Sequence, residues 1–130
     1  MAIKVVVLDS ARLPHGVDFP PLELDKYGWE QYPGLARGEM AERCWRADIV
    51  VTLGATIGKA EFEKMYKLGL VICAGEACSG VDHVAACERG VEAMAFPDAD
   101  RASVGAAENL FKRVSAAIEH YVRSCARQER

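Results

Sequence analysis

Three short runs of nearly unbroken apolar, largely β-branched residues constrain this chain most: Ile3-Lys4-Val5-Val6-Val7-Leu8, Asp48-Ile49-Val50-Val51-Thr52-Leu53 and Leu70-Val71-Ile72-Cys73-Ala74. A strand with one wet face alternates apolar and polar side chains. A run without alternation belongs to a strand covered on both faces, the usual condition of a parallel sheet. Glu92-Ala93-Met94-Ala95-Phe96 is a weaker run halted by Pro97, and Gly28 to Tyr32 reads as an edge strand because Glu30 and Gln31 interrupt it. Helical patterns lie between these runs. Glu39 to Trp45 precedes the third strand, Lys59 to Leu68 follows it with Phe62, Met65 and Tyr66 on one face, and Val81 to Arg89 ends at Gly90. Strands alternating with helices through short connections predict an α/β domain with parallel strands. The count fits a flavodoxin-like five-stranded sheet in the order 2-1-3-4-5, with helices on both faces, and residues 1–130 as a single domain.

The end of the chain has a different period. Val104, Ala107, Phe111, Val114, Ile118, Tyr121 and Cys125 alternate spacings of three and four, the mark of one long amphipathic helix. At 1.5 Å per residue a helix from Ala102 to Arg127 runs about 39 Å, longer than a small sheet needs. Its far end is either a frayed tail or a surface for a second copy of the chain, which makes a homodimer through this helix an expectation.

Composition excludes several functions. With 51% hydrophobic residues, 27% charged residues and a formal net charge of -3, the chain is an ordinary globular one without the basic field that draws nucleic acid or anionic lipid. No apolar run approaches the roughly 20 residues that span a bilayer, so no membrane partner is expected. The five cysteines, Cys44, Cys73, Cys78, Cys87 and Cys125, stand at no metal-ligand spacing and leave one unpaired. Met1-Ala2-Ile3-Lys4 leads straight into a strand with no signal-peptide pattern, so a cytoplasmic chain with reduced thiols and no metal is expected.

Gly54-Ala55-Thr56-Ile57-Gly58-Lys59 has the outline of a phosphate loop, but three residues rather than four separate its glycines and Ala60 follows the lysine. It reads as a turn from strand to helix opened by Lys59. Asp9 follows the first strand, where phospho-receiver domains keep an acidic pocket. Such a domain also needs an aspartate where this chain has Thr52-Leu53, so Asp9 reads as a turn or cap residue facing the productive edge of the sheet. Asp82 is placed to cap the helix that begins near His83. Cys78 and His83 lack an orienting acid for nucleophilic work. Ala74 to His83 is the informative stretch: at the carboxyl end of a strand, small residues such as Ser79 and Gly80 let backbone N–H groups approach an anion. A small carboxylate or phosphate site is one reading of it, a plain tight turn the other.

Ser79-Gly80-Val81-Asp82-His83-Val84, the helix through Arg89-Gly90-Val91, and Phe96-Pro97 together resemble the D-2-hydroxyacid dehydrogenases. Ala47-Asp48-Ile49-Val50-Val51-Thr52, Leu68-Gly69-Leu70-Val71-Ile72 and the opening Lys4 to Asp9 resemble that family's strands in the same order. The opening and Leu13-Pro14 lean towards its glycerate dehydrogenase or hydroxypyruvate reductase branch. Each piece is unspecific alone, and the ordered set from Ile3 to Pro97 is more specific.

The resemblance implies a dinucleotide-binding domain after Pro97. Instead the chain passes at 97–101 into Ser103 to Val122, which resembles the family's returning C-terminal helix, and no Gly-x-Gly-x-x-Gly occurs anywhere. What the resemblance then implies is a substrate-binding domain alone, whether truncated naturally or by construction. It has no catalytic residues at matching positions and no bound cofactor, since NAD belongs to the full-length family. It is expected to be inactive by itself and to hold a small 2-hydroxy or 2-oxo acid weakly at Cys78, Ser79 and Gly80, with Leu53 and Gly54 lining the cleft. The alternatives are a natural stand-alone module that binds small carboxylates or regulates a partner, and a subunit completed by a separate nucleotide-binding chain.

Overall fold

A computed structural model describes residues 3–14, 16–17, 19, 22, 24, 26–34, 39–74, 80–96 and 102–128. Its strands are β1 (Ile3–Leu8), β2 (Tyr27–Tyr32), β3 (Ile49–Thr52), β4 (Leu70–Ala74) and β5 (Glu92–Phe96). Its α-helices are α1 (Glu39–Cys44), α2 (Lys59–Lys64), α3 (His83–Glu88) and α4 (Val104–Gln128). The strands form one five-stranded parallel sheet in the order β2-β1-β3-β4-β5. The α/β class, the strand order and the long C-terminal helix agree with the periodicity of the sequence. The chain divides into two compact units, Met1–Arg12 with Tyr27–Ala99, and Leu13–Lys26 with Asp100–Arg130.

The first unit contains the sheet and the three short helices. Successive strand residues point to opposite faces. Val6, Leu8, Val50, Val71 and Cys73 therefore share one face, and they form a buried cluster with Met40 and Cys44 of α1, Phe62 of α2 and Ala85 and Ala86 of α3. Val5, Val7, Ile49, Val51, Leu70 and Ile72 point the other way and are equally buried. Burial on both sides is why the central runs show no alternation. Burial also pushes the Cys44 thiol up to about 11, so this cysteine is an inert packing group.

The expected face of α2 is only partly right. Phe62 and Met65 are buried, but Tyr66 is 61% exposed. The helix stops at Lys64, and Met65 leaves helical geometry while its N–H still donates to the Glu61 carbonyl. Beyond that break the 3.6-residue period no longer applies, so Tyr66 turns outward and meets the Trp45 ring at 5.9 Å between centroids.

Edge strand β2 is polar, and its side chains fasten it to β1. The Tyr32 hydroxyl donates to Glu30 Oε2 at 2.7 Å, and Lys4 Nζ lies 3.3 Å from Glu30 Oε1. Charged and polar groups on an edge also discourage pairing with other chains.

The second unit is built around α4, about 38 Å long at 1.5 Å per residue. Ser103 caps it: its hydroxyl accepts from the Ala106 N–H at 3.1 Å. Ala107, Leu110, Phe111, Val114 and Ile118 are buried along one stripe, while Tyr121 and Cys125 are half-buried. Phe19 meets Phe111 edge to face at 4.6 Å within this unit. No helix among the described residues is long and apolar enough to cross a membrane.

Candidate functional site

Parallel strands point all their carboxyl ends to one edge, and in open α/β sheets ligands collect there. In the first unit that edge carries Asp9 after β1, the turn Leu53 to Gly58 after β3, and the segment from Gly80 that leads into α3.

The β3 turn is closed by its own threonine. Thr52, buried at the end of an apolar strand, accepts from the Ala55 N–H at 3.0 Å and donates to the Ala55 carbonyl at 3.4 Å. This satisfies a hydroxyl that would otherwise be costly to bury. Leu53 is fully buried, and its N–H donates to the Leu8 carbonyl at 3.2 Å, so the ends of β1 and β3 stay paired past the strands themselves. Gly54 is half-buried at the turn.

The turn is then pinned to the segment beyond β4. Ile57 and Val81 form an isolated parallel bridge. The Ile57 N–H donates to the Gly80 carbonyl and the Asp82 N–H to the Ile57 carbonyl, both at 2.9 Å. Gly80 packs so closely that a Cβ there would lie 3.3 Å from the Ala55 carbonyl oxygen and 3.5 Å from Thr56 Oγ1. Leu53, Gly54 and Gly80, expected from the sequence to share a cleft, thus belong to segments that are bonded to each other. Cys78 and Ser79 lie outside the described residues.

Asp82 is the cap that its position predicts. Its Oδ1 accepts from the Ala85 N–H at 3.0 Å, with extended backbone at the cap itself. A carboxylate therefore already satisfies one of the free amides of α3. Asp9 has φ 60, and among the described residues it is the one non-glycine residue with positive φ. Among the described residues no group of three or more His, Cys, Asp or Glu side chains is placed to hold a metal ion.

Sequence reasoning missed the closeness of Gly80 to Ala55 and Thr56, and the role of Thr52. The signal for Thr52 was present, a lone hydroxyl ending an apolar strand just before Leu53-Gly54. Nothing local signals the contact across to Gly80, because its partners lie more than twenty residues away.

No protein-family model matches the chain, and no curated protein does. Solved structures do. The NAD+-bound 3-phosphoglycerate dehydrogenase of Entamoeba histolytica matches with a TM-score of 0.59 and 17% identity, over 73% of this chain and 33% of that one. The apo D-lactate dehydrogenase of Escherichia coli matches with a TM-score of 0.54 and 14% identity, over 75% of this chain and 32% of that one. The chain thus shares its fold with D-2-hydroxyacid dehydrogenases and spans about a third of the length of each.

Proposed function

We propose that this chain is a substrate-binding domain of the D-2-hydroxyacid dehydrogenase type, which holds a small 2-hydroxy or 2-oxo acid at the carboxyl edge of its sheet and does not turn it over alone. The observation that carries this reading is the bonded pair of loops at that edge, Leu53–Gly54 held beside Gly80 through the Ile57–Val81 bridge. Glycine at 80 lets this segment pack against the Ala55 carbonyl and Thr56, which keeps the two loops close together at the edge where ligands collect. The strand order and the two similar dehydrogenases support the same reading.

In this reading, backbone N–H groups of Cys78, Ser79 and Gly80 donate to the ligand carboxylate, and Leu53 and Gly54 line the cleft. One or two exposed hydrogen bonds contribute about 0.5–1.5 kcal/mol each. Affinity in the millimolar range or weaker follows. The chain's own residues do not fit a dinucleotide. The pyrophosphate of such a cofactor rests on a glycine-rich turn opening a helix after the first strand. Here Asp9, a carboxylate, follows β1, and a short 3-10 turn, Ser10–Arg12, comes next. Hydride transfer needs a nicotinamide against the substrate carbon and a proton donor at its oxygen. Both would have to come from elsewhere.

Two measurements test the proposal. The purified chain with NADH and hydroxypyruvate or glyoxylate should show no oxidation of NADH, and clear turnover overturns the inactive reading. Titration with glycerate should move the backbone amide resonances of Leu53, Gly54 and Gly80 at tens of millimolar, and Gly80→Ala should weaken the response. Amides that stay still at 100 mM in the unmodified chain remove the binding reading.

A further inference from the structure

We infer that the outer edge of β5 is an interface for a second copy of this chain. The two β5 strands pair antiparallel about a two-fold axis at Met94 and join the two sheets into one.

The first observation is a difference between the two edges of the sheet, β2 and β5. β2 carries the Glu30 carboxylate within its span, paired with Lys4 and bonded to Tyr32. Charge in the middle of an edge strand resists pairing with another chain. β5 runs Glu92-Ala93-Met94-Ala95-Phe96, so its one charge stands at its first residue. Ala93 and Ala95 are exposed, and among the described residues no strand lies beyond them.

The second observation is where the backbone groups of β5 point. Successive residues of a strand direct their N–H and C=O groups to opposite sides. The Glu92 N–H donates to the Gly69 carbonyl at 2.9 Å, and the Met94 carbonyl accepts from the Cys73 thiol at 3.6 Å. Glu92 and Met94 therefore face β4, and Ala93 and Ala95 face outward. This outward row is closed at both ends. The Val91 N–H is already taken by the Ala86 carbonyl at 2.8 Å, and residue 97 is proline, which has no N–H.

A second copy fits that row in one register. With Met94 opposite Met94, Ala93 of each copy lies opposite Ala95 of the other. These are hydrogen-bonded pairs, in which both residues exchange N–H and C=O groups. All the outward groups of Ala93 and Ala95 are then satisfied in both copies. Glu92 meets Phe96 of the second copy, and the two Glu92 residues stand about 14 Å apart along the seam, beyond the screening length of roughly 8 Å. The two-fold also closes both edges at once, whereas a parallel addition leaves a new edge open. Ala93 and Ala95 share the face of Val71 and Cys73, against which α3 packs. Both α3 helices thus lie on the same side of the seam, with the small alanine side chains between them.

The test uses the full chain. A seam of one strand pair is smaller than the roughly 1,200 Å² of a standard interface, so sedimentation equilibrium is run up to about 1 mM, where a reversible dimer is expected. Ala95→Pro removes an outward N–H without touching the β4 ladder, a position where an edge strand tolerates proline. It should leave the thermal midpoint unchanged and weaken the dimer about tenfold or more, since two of the four bonds are lost. Met94→Cys should form a disulfide joining residue 94 of each copy on mild oxidation, identified by peptide mapping. A non-hydrogen-bonded pair sets its Cα atoms about 4.5 Å apart, within the roughly 4.4–6.8 Å that a disulfide spans. Ala93→Cys should not link to itself, because its own counterpart lies two residues along the seam. A chain that stays monomeric at 1 mM overturns the inference. So does a dimer unaffected by Ala95→Pro, which assigns association to another surface such as α4, or linkage of Ala93→Cys as ready as that of Met94→Cys.

Discussion

The two ends of the sheet are built differently. At the amino end the strands are laced by short backbone bonds. The Asp48 N–H donates to the Lys4 carbonyl at 3.0 Å, Gly69 N–H donates to the Asp48 carbonyl at 2.9 Å, and Glu92 N–H donates to the Gly69 carbonyl at 2.9 Å. The Asp48 side chain adds a bond of its own, accepting from the Lys4 N–H at 2.9 Å. At the carboxyl end, a threonine side chain closes one turn, an isolated bridge ties it to the next segment, and Asp9 sits in a left-handed conformation. Both ends bond their backbone groups internally, but the carboxyl end also gathers small residues and an aspartate with a left-handed backbone. On the proposed function, stability and binding are placed at opposite ends of the same strands, so substitutions should separate them.

The largest effect is expected at the amino end. Asp48→Ala removes a charge-assisted bond to a backbone amide and should cost about 1.5–3 kcal/mol in urea denaturation, with the glycerate response of Gly80 unchanged. A loss of binding as large as the loss of stability would show that the two ends are not separable. Asp82→Ala comes next. Loss of the α3 cap should cost about 1 kcal/mol, and it should weaken binding as well, because the Asp82 side chain fixes the start of α3 two residues after Gly80. Unchanged binding in that variant would confine the site to the β1 and β3 ends.

The smallest effect belongs to the β2 anchor. The Tyr32 hydroxyl first, and Lys4 beside it, hold the Glu30 carboxyl below its usual range against the opposing pull of burial. A carboxyl lowered in the folded state stabilises fully above its unfolded value and loses that contribution as pH falls through the depressed one. Tyr32 is raised by the same bond to Glu30 and then by burial, so its share is lost only as pH rises through that elevated value. Glu30→Gln should flatten the acid limb of a stability profile by less than about 1 kcal/mol, since the pair is substantially exposed. An acid limb identical in the variant and the unmodified chain would remove the anchor.

How much was legible varies by element. The apolar runs at Ile3–Leu8 and Leu70–Ala74 coincide with β1 and β4, because burial on both faces of their central residues makes the run of apolar side chains as long as the strand. The cap at Asp82 was legible too, since a capping carboxylate acts on an amide three residues away. Tyr66 was misplaced because Met65 breaks the helix before it, and an i, i+4 pattern assumes that the helix continues. At the candidate site, Leu53, Gly54 and Gly80 were named from family resemblance, yet what joins them is long-range.

The order of apolar runs, their lengths and the small residues between them determined that this chain makes a parallel sheet of five strands, because burial on both faces and short connections leave few other ways to satisfy its backbone. Only the tertiary structure decided that Gly80 would press against Ala55, that the hydroxyl of Thr52 would turn inward to close its own loop, and that Asp9 would carry a left-handed backbone. These features arise where segments far apart in the chain compete for the same few ångströms, and a neighbour-by-neighbour pattern does not record that competition.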